Sequence, residues 1–563
     1  MTAADSFINY ASFDANTNGN IDVTELHIIT ITRGYETSFG GPFSACSPNV
    51  WGHRWSLSGA VPGPTLDGVL LAASSGGGGY MQFGEWHDMT TGGCPGSSQG
   101  NMATIGIMAH ELGHDINWPD LYDTDGTSAG NGTWSVMASG SWGQASGEPA
   151  GTTPTHPDPY SKSYQGWLTP VDVTSSMTSV AVPNSAQNAT VYRLLENLNG
   201  VDWEFKNSSG TGEYFLVENR QQVGFDAGLF RIDAAAAGCI IWHIDETRIS
   251  DNSNNNDETH KHVDVEEADG VQDLDANTNR GDTGDPWPGA TANTTFSSAS
   301  TPNSNLYSGA ASGVTVNNIS TAGTGCTVDF LATYDYGDLF DNNTGSTYPT
   351  DGDTSNGAPA RHLIDNTNYL GATIDGDFRG LSSSGATGDD AAGIDDEDGV
   401  TFMPGLGHAS GWSDGTVASN NGGHLQLDIT GSGIPQVFVD FNQDGTLTEV
   451  TLRDAAGTPI VGAQSGTLQV YFDVPSGTFD GTGINRQIAV RVRLSTAGGL
   501  SATGDAANGE VEDYVYGMRP TAITLQNVSA TSSIVLPVIA IAFFVFALLF
   551  GFVMVHKRKS RSL

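Results

Sequence analysis

The residues best able to do chemistry stand together in the stretch 105–126, IGIMAHELGHDINWPDLYDTDG. His110 and His114 are four apart, so on a helix they lie on one face, one turn from each other, aimed at a common point. Both imidazoles can then reach one tetrahedral zinc ion, and Glu111 beside the first histidine can serve as a base toward water held there. The alternative is an amphipathic helix with two paired core histidines. Glu111 argues against it, because a carboxylate in an apolar helix is costly to bury without a task.

Such a helix needs a scaffold. The apolar runs 68–74 (GVLLAAS) and 80–86 (YMQFGEW) read as strands between Gly and Ser turns, forming a sheet behind the helix. The segment 159–170, PYSKSYQGWLTP, reads as a second helix under the site. Upstream, 14–25 (DANTNGNIDVTE) fits a twelve-residue calcium loop. Asp14, Asn16, Asn18, Asn20 and Asp22 supply oxygens, Gly19 marks the sharp turn, and Glu25 closes the loop. Because LHIITITRGY after it alternates like a strand, the loop is expected to tie a strand to the domain rather than to form an EF-hand. A second, less regular calcium loop is expected at Asp275, Asn277, Asn279, Asp282 and Asp285. Asp440, Asn442 and Asp444 begin a third, whose twelfth position is Thr451, so its ending fails. His243 and His262 suit strand positions better than ligand positions.

The chain has 563 residues, too long for one core, and is rich in Gly and turn residues, which favours short strands. A formal net charge of -42, from 21 basic and 63 acidic residues, excludes a nucleic-acid binder. The four cysteines are Cys46, Cys94, Cys239 and Cys326; pairing by order joins Cys46 to Cys94 and Cys239 to Cys326, other pairings remaining open. No signal peptide follows Met1, so the chain is expected to start late, with a signal and a first strand missing. Residues 534–555 are uncharged and long enough to cross a bilayer, and HKRKSRSL follows. A single-pass membrane protein with a cytoplasmic tail and the bulk outside is therefore expected.

HELGHDINWPDLYD, GTWSVMASGSW, SKSYQGWL, EYFLVENRQQVGFD, GCIIWHIDE and HVDVEEADG, in that order, resemble the immune inhibitor A family of secreted metallopeptidases. The resemblance covers most of residues 1–330. It implies a metzincin-like catalytic domain with one zinc, structural calcium and protein substrates. It also implies a sharp left-handed turn after the zinc helix, bringing Asp120 round as third ligand beside His110 and His114, with Glu111 as catalytic base and Met137 in a turn beneath the metal. Asn117 stands where the family has Gly, and Asn is the next most tolerant residue of that conformation. Residues 334–517 resemble the GEVED domain, whose motif stands here as 509–513.

These readings give an α+β metzincin-like zinc peptidase domain (1–170, incomplete at its N-terminus) with a β-rich extension (171–333). An all-β sandwich (334–517), a stalk (518–533), a single C-terminal transmembrane helix (534–555) and a basic tail (556–563) follow. The expected function is a membrane-anchored extracellular zinc endopeptidase acting on protein substrates. The rival is a calcium-dependent surface-binding protein on an inactive peptidase scaffold.

Overall fold

The structure is a computed structural model. It describes residues 1–39, 47–59, 61–87, 101–197, 199–322, 325–341, 348–350, 357–388, 396–409, 411–479 and 486–518. The parallel strands Ile29–Glu36 and Tyr80–His87 form the middle of a five-stranded mixed sheet. His53–Trp55 pairs antiparallel with Tyr80–His87 and ends the sheet on one side; Asn49–Val50 ends it on the other. The calcium-like loop leads into Ile29–Glu36 as expected, and is itself tied to Leu70 by backbone hydrogen bonds at Gly19 and Ile21. The run 68–74 yields only the two-residue strand Val69–Leu70, in a hairpin with Thr65–Leu66.

Helix α1, Ile105–Asp115, packs Ile107 against Met81 and Phe83 of the sheet. Its other side meets a long segment of irregular turns, and two glycines allow the approach. A Cβ on Gly106 would lie 1.7 Å from the Ser141 carbonyl oxygen, and one on Gly113 would lie 2.4 Å from Met137 Sδ. Helix α2, Pro159–Tyr164, begins with Asp158, which accepts from Ser161 N–H at 2.7 Å, and Pro159 occupies a first-turn position where no N–H is needed.

A second five-stranded sheet runs in the order Val263–Val265, Gly238–Asp245, Glu213–Arg220, Tyr192–Leu194, Val171–Asp172. Its central strands are apolar on both faces, and alternation splits their side chains between two cores. Tyr214, Leu216, Ile240, Trp242 and Ile244 join Trp118, Leu121, Val136 and Met137 below α1. Phe215, Val217, Cys239 and Ile241 meet a three-stranded sheet, Val314–Ala322, Gly325–Ala332 and Met177–Val182. The Cys239–Cys326 disulfide, closing 87 residues, joins these two sheets. Cys46 and Cys94 lie outside the described residues. The β-rich region thus shares a core with the turn under α1.

Beyond it the chain is all β. Strand Gly423–Asp440, of 18 residues, anchors a seven-stranded sheet that also holds Tyr369–Leu370, Val400–Phe402, Thr448–Glu449, Gln464–Phe472, Arg486–Ser495 and Glu510–Met518. A small sheet of Tyr334–Tyr336, Ala360–Leu363 and Gly504–Ala506 sits beside it in sequence.

Two expectations are corrected here. The α+β assignment fails because the chain is mostly β: the α-helices among the described residues are α1, of 11 residues, and α2, of 6. Turn-forming residues between short β-branched runs dominate, and they favour sheets. The transmembrane helix and single-pass location are corrected as well: no helix among the described residues is long and apolar enough to cross a membrane. The run 534–555 that carried that expectation lies outside the described residues, as does most of the stalk and all of the tail.

Candidate metal centre

α1 ends in a way that decides the site. Ile116 caps the helix, Asn117 takes φ +69°, and Trp118 N–H reaches back to the Gly113 carbonyl at 2.9 Å while Asn117 N–H reaches His114 at 3.2 Å. This is a Schellman ending, which needs a left-handed residue at the position Asn117 fills. The chain turns back under the helix, Trp118 packs beside Gly113, and Asp120 arrives facing the histidines.

Asp120 Oδ1 lies 3.1 Å from His110 Nε2 and 3.1 Å from His114 Nε2. Each ring is held from behind: His110 Nδ1 is 2.9 Å from the Val136 carbonyl oxygen and His114 Nδ1 is 2.8 Å from that of Trp118. A carbonyl can only accept, so both Nδ1 atoms carry hydrogen and both Nε2 atoms point into the site. The rings cross at 86° with centroids 4.8 Å apart. Met137, fully buried, lies under α1 against Gly113, and its carbonyl accepts from Leu121 N–H at 2.9 Å, next to Asp120.

The donor set fits a zinc ion. One ligand atom from each of His110, His114 and Asp120 lies within 4.8 Å of the others. Two imidazoles with carbonyl-oriented rings and one carboxylate are a zinc-type set that leaves a fourth position open. Its electrostatics agree. Burial opposes a charged His110, yet the hydrogen bond and charge of Asp120, with the charge of Glu111, push its pKa up to about 9. Burial also opposes ionised Asp120, and the two histidines outweigh it, holding the carboxyl below its usual range. The pocket is therefore arranged around positive charge, which a metal supplies when protons leave.

Glu111 is 6% exposed and accepts no side-chain hydrogen bond among the described residues. It lines a cavity of about 830 Å³ together with His110, His114 and Asp120. Trp51, His53, Arg54 and Trp55 form one wall of that cavity, Ser139, Ser141 and Trp142 another. Phe205, Lys206, Asn252, Asn277 and Arg280 come from the β-rich region.

Several contributors escaped the sequence reading. Tyr122 stacks on His110, with centroids 6.0 Å apart at 27°. Burial, then the charges of Asp120 and Glu111, raise its pKa, so it stays a donor. Asp123, Asp125 and Glu258 gather their oxygens within 4.8 Å of one another. The Asp123 and Asp125 spacing was visible; Glu258, from the β-rich region, was not.

The proposed calcium residues separate. In the 14–25 loop, Asp14 accepts from Asn18 N–H at 3.0 Å and Gly19 N–H at 2.9 Å. Asn16 and Asn18 accept from Asn18 N–H and Asn20 N–H. Glu25 folds back to accept from Asn16 N–H at 3.1 Å and Asp22 N–H at 3.2 Å. The first and last positions thus close one loop. The second candidate does not close. Asp275 pairs with buried Lys261, Asn277 bonds the Gly126 carbonyl, and Asn279 contacts Gly281 and Asp282. Asp285 accepts from the Trp134 indole at 2.7 Å and from Asp282 N–H. These five residues hold separate contacts, and among the described residues they do not gather as one ligand set. His243 lies between Glu213 and Glu266 at 3.1 and 3.3 Å, and His262 is buried against Tyr160 and Trp203, so both hold structural positions.

Residues 4–168 match the immune inhibitor A peptidase M6 catalytic domain family, and residues 436–516 match the GEVED domain. The family likeness therefore lies in two segments, an immune inhibitor A-type peptidase domain early in the chain and a GEVED domain late in it. Immune inhibitor A of Bacillus thuringiensis subsp. alesti is 32% identical over 164 residues, 28% of this chain and 21% of that protein. The pre-pro-metalloprotease PrtV of Vibrio cholerae serotype O1 (strain M66-2) is 30% identical over 179 residues, 27% of this chain and 16% of that protein. The matches thus span about a fifth or less of these relatives.

Proposed function

We propose that the chain is a zinc endopeptidase in which His110, His114 and Asp120 hold the metal and Glu111 moves the proton. The observation that carries this reading is the pair of imidazoles turned inward by backbone carbonyls onto Asp120, beside a Glu111 carboxylate that opens on a large cavity. A zinc ion held there supplies Lewis acidity to the scissile carbonyl and lowers the pKa of water beside it.

Glu111 then takes a proton from the attacking water and passes it to the departing amine. Tyr122 stacks on His110 beside the site. His53–Trp55, last in its sheet and lining the cavity, offers unpaired backbone groups on which a peptide can lie as an added strand. A polypeptide substrate follows from that edge and from a cavity too large for a single small side chain.

The scaffold reading is weaker, because a protein that only binds has no need of an unpaired carboxylate beside two oriented histidines. Metal analysis and a casein digest of the full chain test the proposal. Zinc bound at one equivalent, with hydrolysis abolished by chelation and restored by zinc, is the expected result. A zinc-loaded chain that hydrolyses no protein or peptide would overturn it.

A further inference from the structure

The cavity beside the histidine set is lined by more free positive charge than the rest of the chain offers. The sequence holds 21 basic and 63 acidic residues, yet Arg54, Lys206 and Arg280 all line this one cavity. Its acidic lining residues are Glu111, Asp120 and Asp123. Asp120 faces two imidazoles at 3.1 Å. Asp123 accepts from the N–H groups of Asp125 at 2.8 Å and Ser128 at 2.6 Å and from the Thr127 hydroxyl at 2.9 Å. Glu111 is committed to proton transfer in the peptidase reading, on which this inference rests. The acids of the lining thus have their work or their partners within the protein.

The cations of the lining have open ends. Arg54 stands on the edge strand His53–Trp55. Its Nε donates to Asp115 at 2.9 Å, and Asp115, with a side chain 1% exposed, directly follows His114 on α1. A Cβ on Gly79 would lie 2.6 Å from an Arg54 Nη atom, so the guanidinium is seated against bare backbone. Among the described residues its Nη groups make no hydrogen bond, and these are the donors that grip a carboxylate. Lys206 and Arg280 come from the β-rich region, are exposed, and form no ion pair among the described residues. Lys206 Nζ lies 4.7 Å from the Phe205 ring centroid, and its backbone N–H is tied to the Ser250 carbonyl at 2.7 Å. Arg280 Nη1 donates to Asn277 Oδ1, and the Arg280 carbonyl accepts from Thr133 N–H at 2.8 Å.

With three acids for every base, a cation without a carboxylate is the exception in this chain. Arg193, Arg220, Lys261, Arg361 and Arg491 are all paired. Exposed charges more than about 10 Å away are largely screened at 0.1 M salt, so the field in the cavity is set by its own lining rather than by the net charge of the chain. We propose that this cavity selects acidic polypeptides, with Asp or Glu side chains near the scissile bond received by Arg54 on the edge-strand wall and by Lys206 and Arg280 on the wall from the β-rich region. A peptide lying along His53–Trp55 as an added strand passes Arg54 directly, which places a carboxylate-binding group beside the substrate backbone.

The test uses two fluorescein-labelled peptides of one length, identical except that Glu residues flanking the central bond in one are Gln in the other. Binding is read by fluorescence anisotropy on the full zinc-loaded chain carrying Glu111→Gln, and kcat/KM on the full wild-type chain. The Glu peptide should bind about 10-fold more tightly at 50 mM salt, as expected of a few partly exposed ion pairs, and the preference should shrink at 500 mM. Adding Lys206→Gln and Arg280→Gln should remove most of that preference with zinc content and circular dichroism unchanged. Equal affinity for the two peptides, or a preference that the added changes leave intact, overturns the proposal. The two readings fail separately. Selective binding of the Glu peptide with hydrolysis of neither peptide overturns the peptidase reading and supports the charge selection, whereas hydrolysis of both at equal kcat/KM overturns the charge selection alone.

Discussion

The proposed zinc centre and the GEVED edge both bury carboxylates, but they balance the charge differently. At α1, Asp120 is met by two imidazoles at 3.1 Å. At the GEVED edge, Glu510 and Glu512 are met by backbone N–H groups, a tyrosine hydroxyl and other acids. Nitrogen donors oriented from behind make a compact set suited to zinc, while the acids of the strand and loop stay apart and are met by hydrogen-bond donors. The difference is also mechanical: α1 is locked by a glycine packed on methionine, whereas the 396–399 loop is held mainly by hydrogen bonds.

The largest expected effect breaks the zinc side alone. Glu111→Gln should lower kcat/KM by about 10²–10⁴-fold with zinc retained, because only the proton carrier is lost. His114→Ala should lose zinc as well. A peptidase rate unaffected by Glu111→Gln would remove the contrast altogether.

Gly113→Ala sets two magnitudes against each other. Alanine is the better helix former by about 0.5–1 kcal/mol, but its methyl would meet Met137 Sδ at 2.4 Å, and overpacking a core costs about 1–3 kcal/mol. Strain should win, so the melting temperature should fall; a rise would mean that the methionine turn yields freely.

Asp285 tests burial without a metal. Burial first, despite the Trp134 indole, raises its pKa to about 7 from an ordinary value of 3.8. The folded state therefore holds a proton that the unfolded state releases. Its contribution is fully present below about pH 3.8 and is lost as pH rises through about 7. Urea midpoints of wild type should decline relative to Asp285→Asn between pH 4 and 7.5; parallel curves would refute the assignment.

Asn117 gives the smallest change. Asn117→Gly should shift stability by only a few tenths of a kcal/mol, whereas Asn117→Ala should cost about 1 kcal/mol at φ +69° and weaken zinc binding by misplacing Asp120. Equal zinc affinity in the alanine variant would show that Asp120 is positioned by other contacts.

Much of the proposed zinc centre was legible because it is local. His110, Glu111 and His114 are fixed by helical spacing, and Asn117 and Asp120 follow within two turns of chain. The calcium-like loop was legible for the same reason. For the loop at 275–285, composition shows that oxygens are present but not where they point. Lys261 and Trp134 claim Asp275 and Asp285 from outside the segment. The helical share was overestimated because a single strong helix drew the reading toward α+β, although the turn-rich composition already pointed to sheets.

The sequence by itself determined the donor types, their helical spacing and the residue able to take the left-handed turn, since these depend on local geometry. Only the tertiary structure decided that Val136 and Trp118 carbonyls orient the rings, that Tyr122 stacks on His110, and that the β-rich region walls the cavity. It alone decided that Glu510 is buried with an oxygen unmatched. Those facts arise from contacts between segments far apart in the chain, and burial, which sets the cost of an unpaired charge, has no local signature.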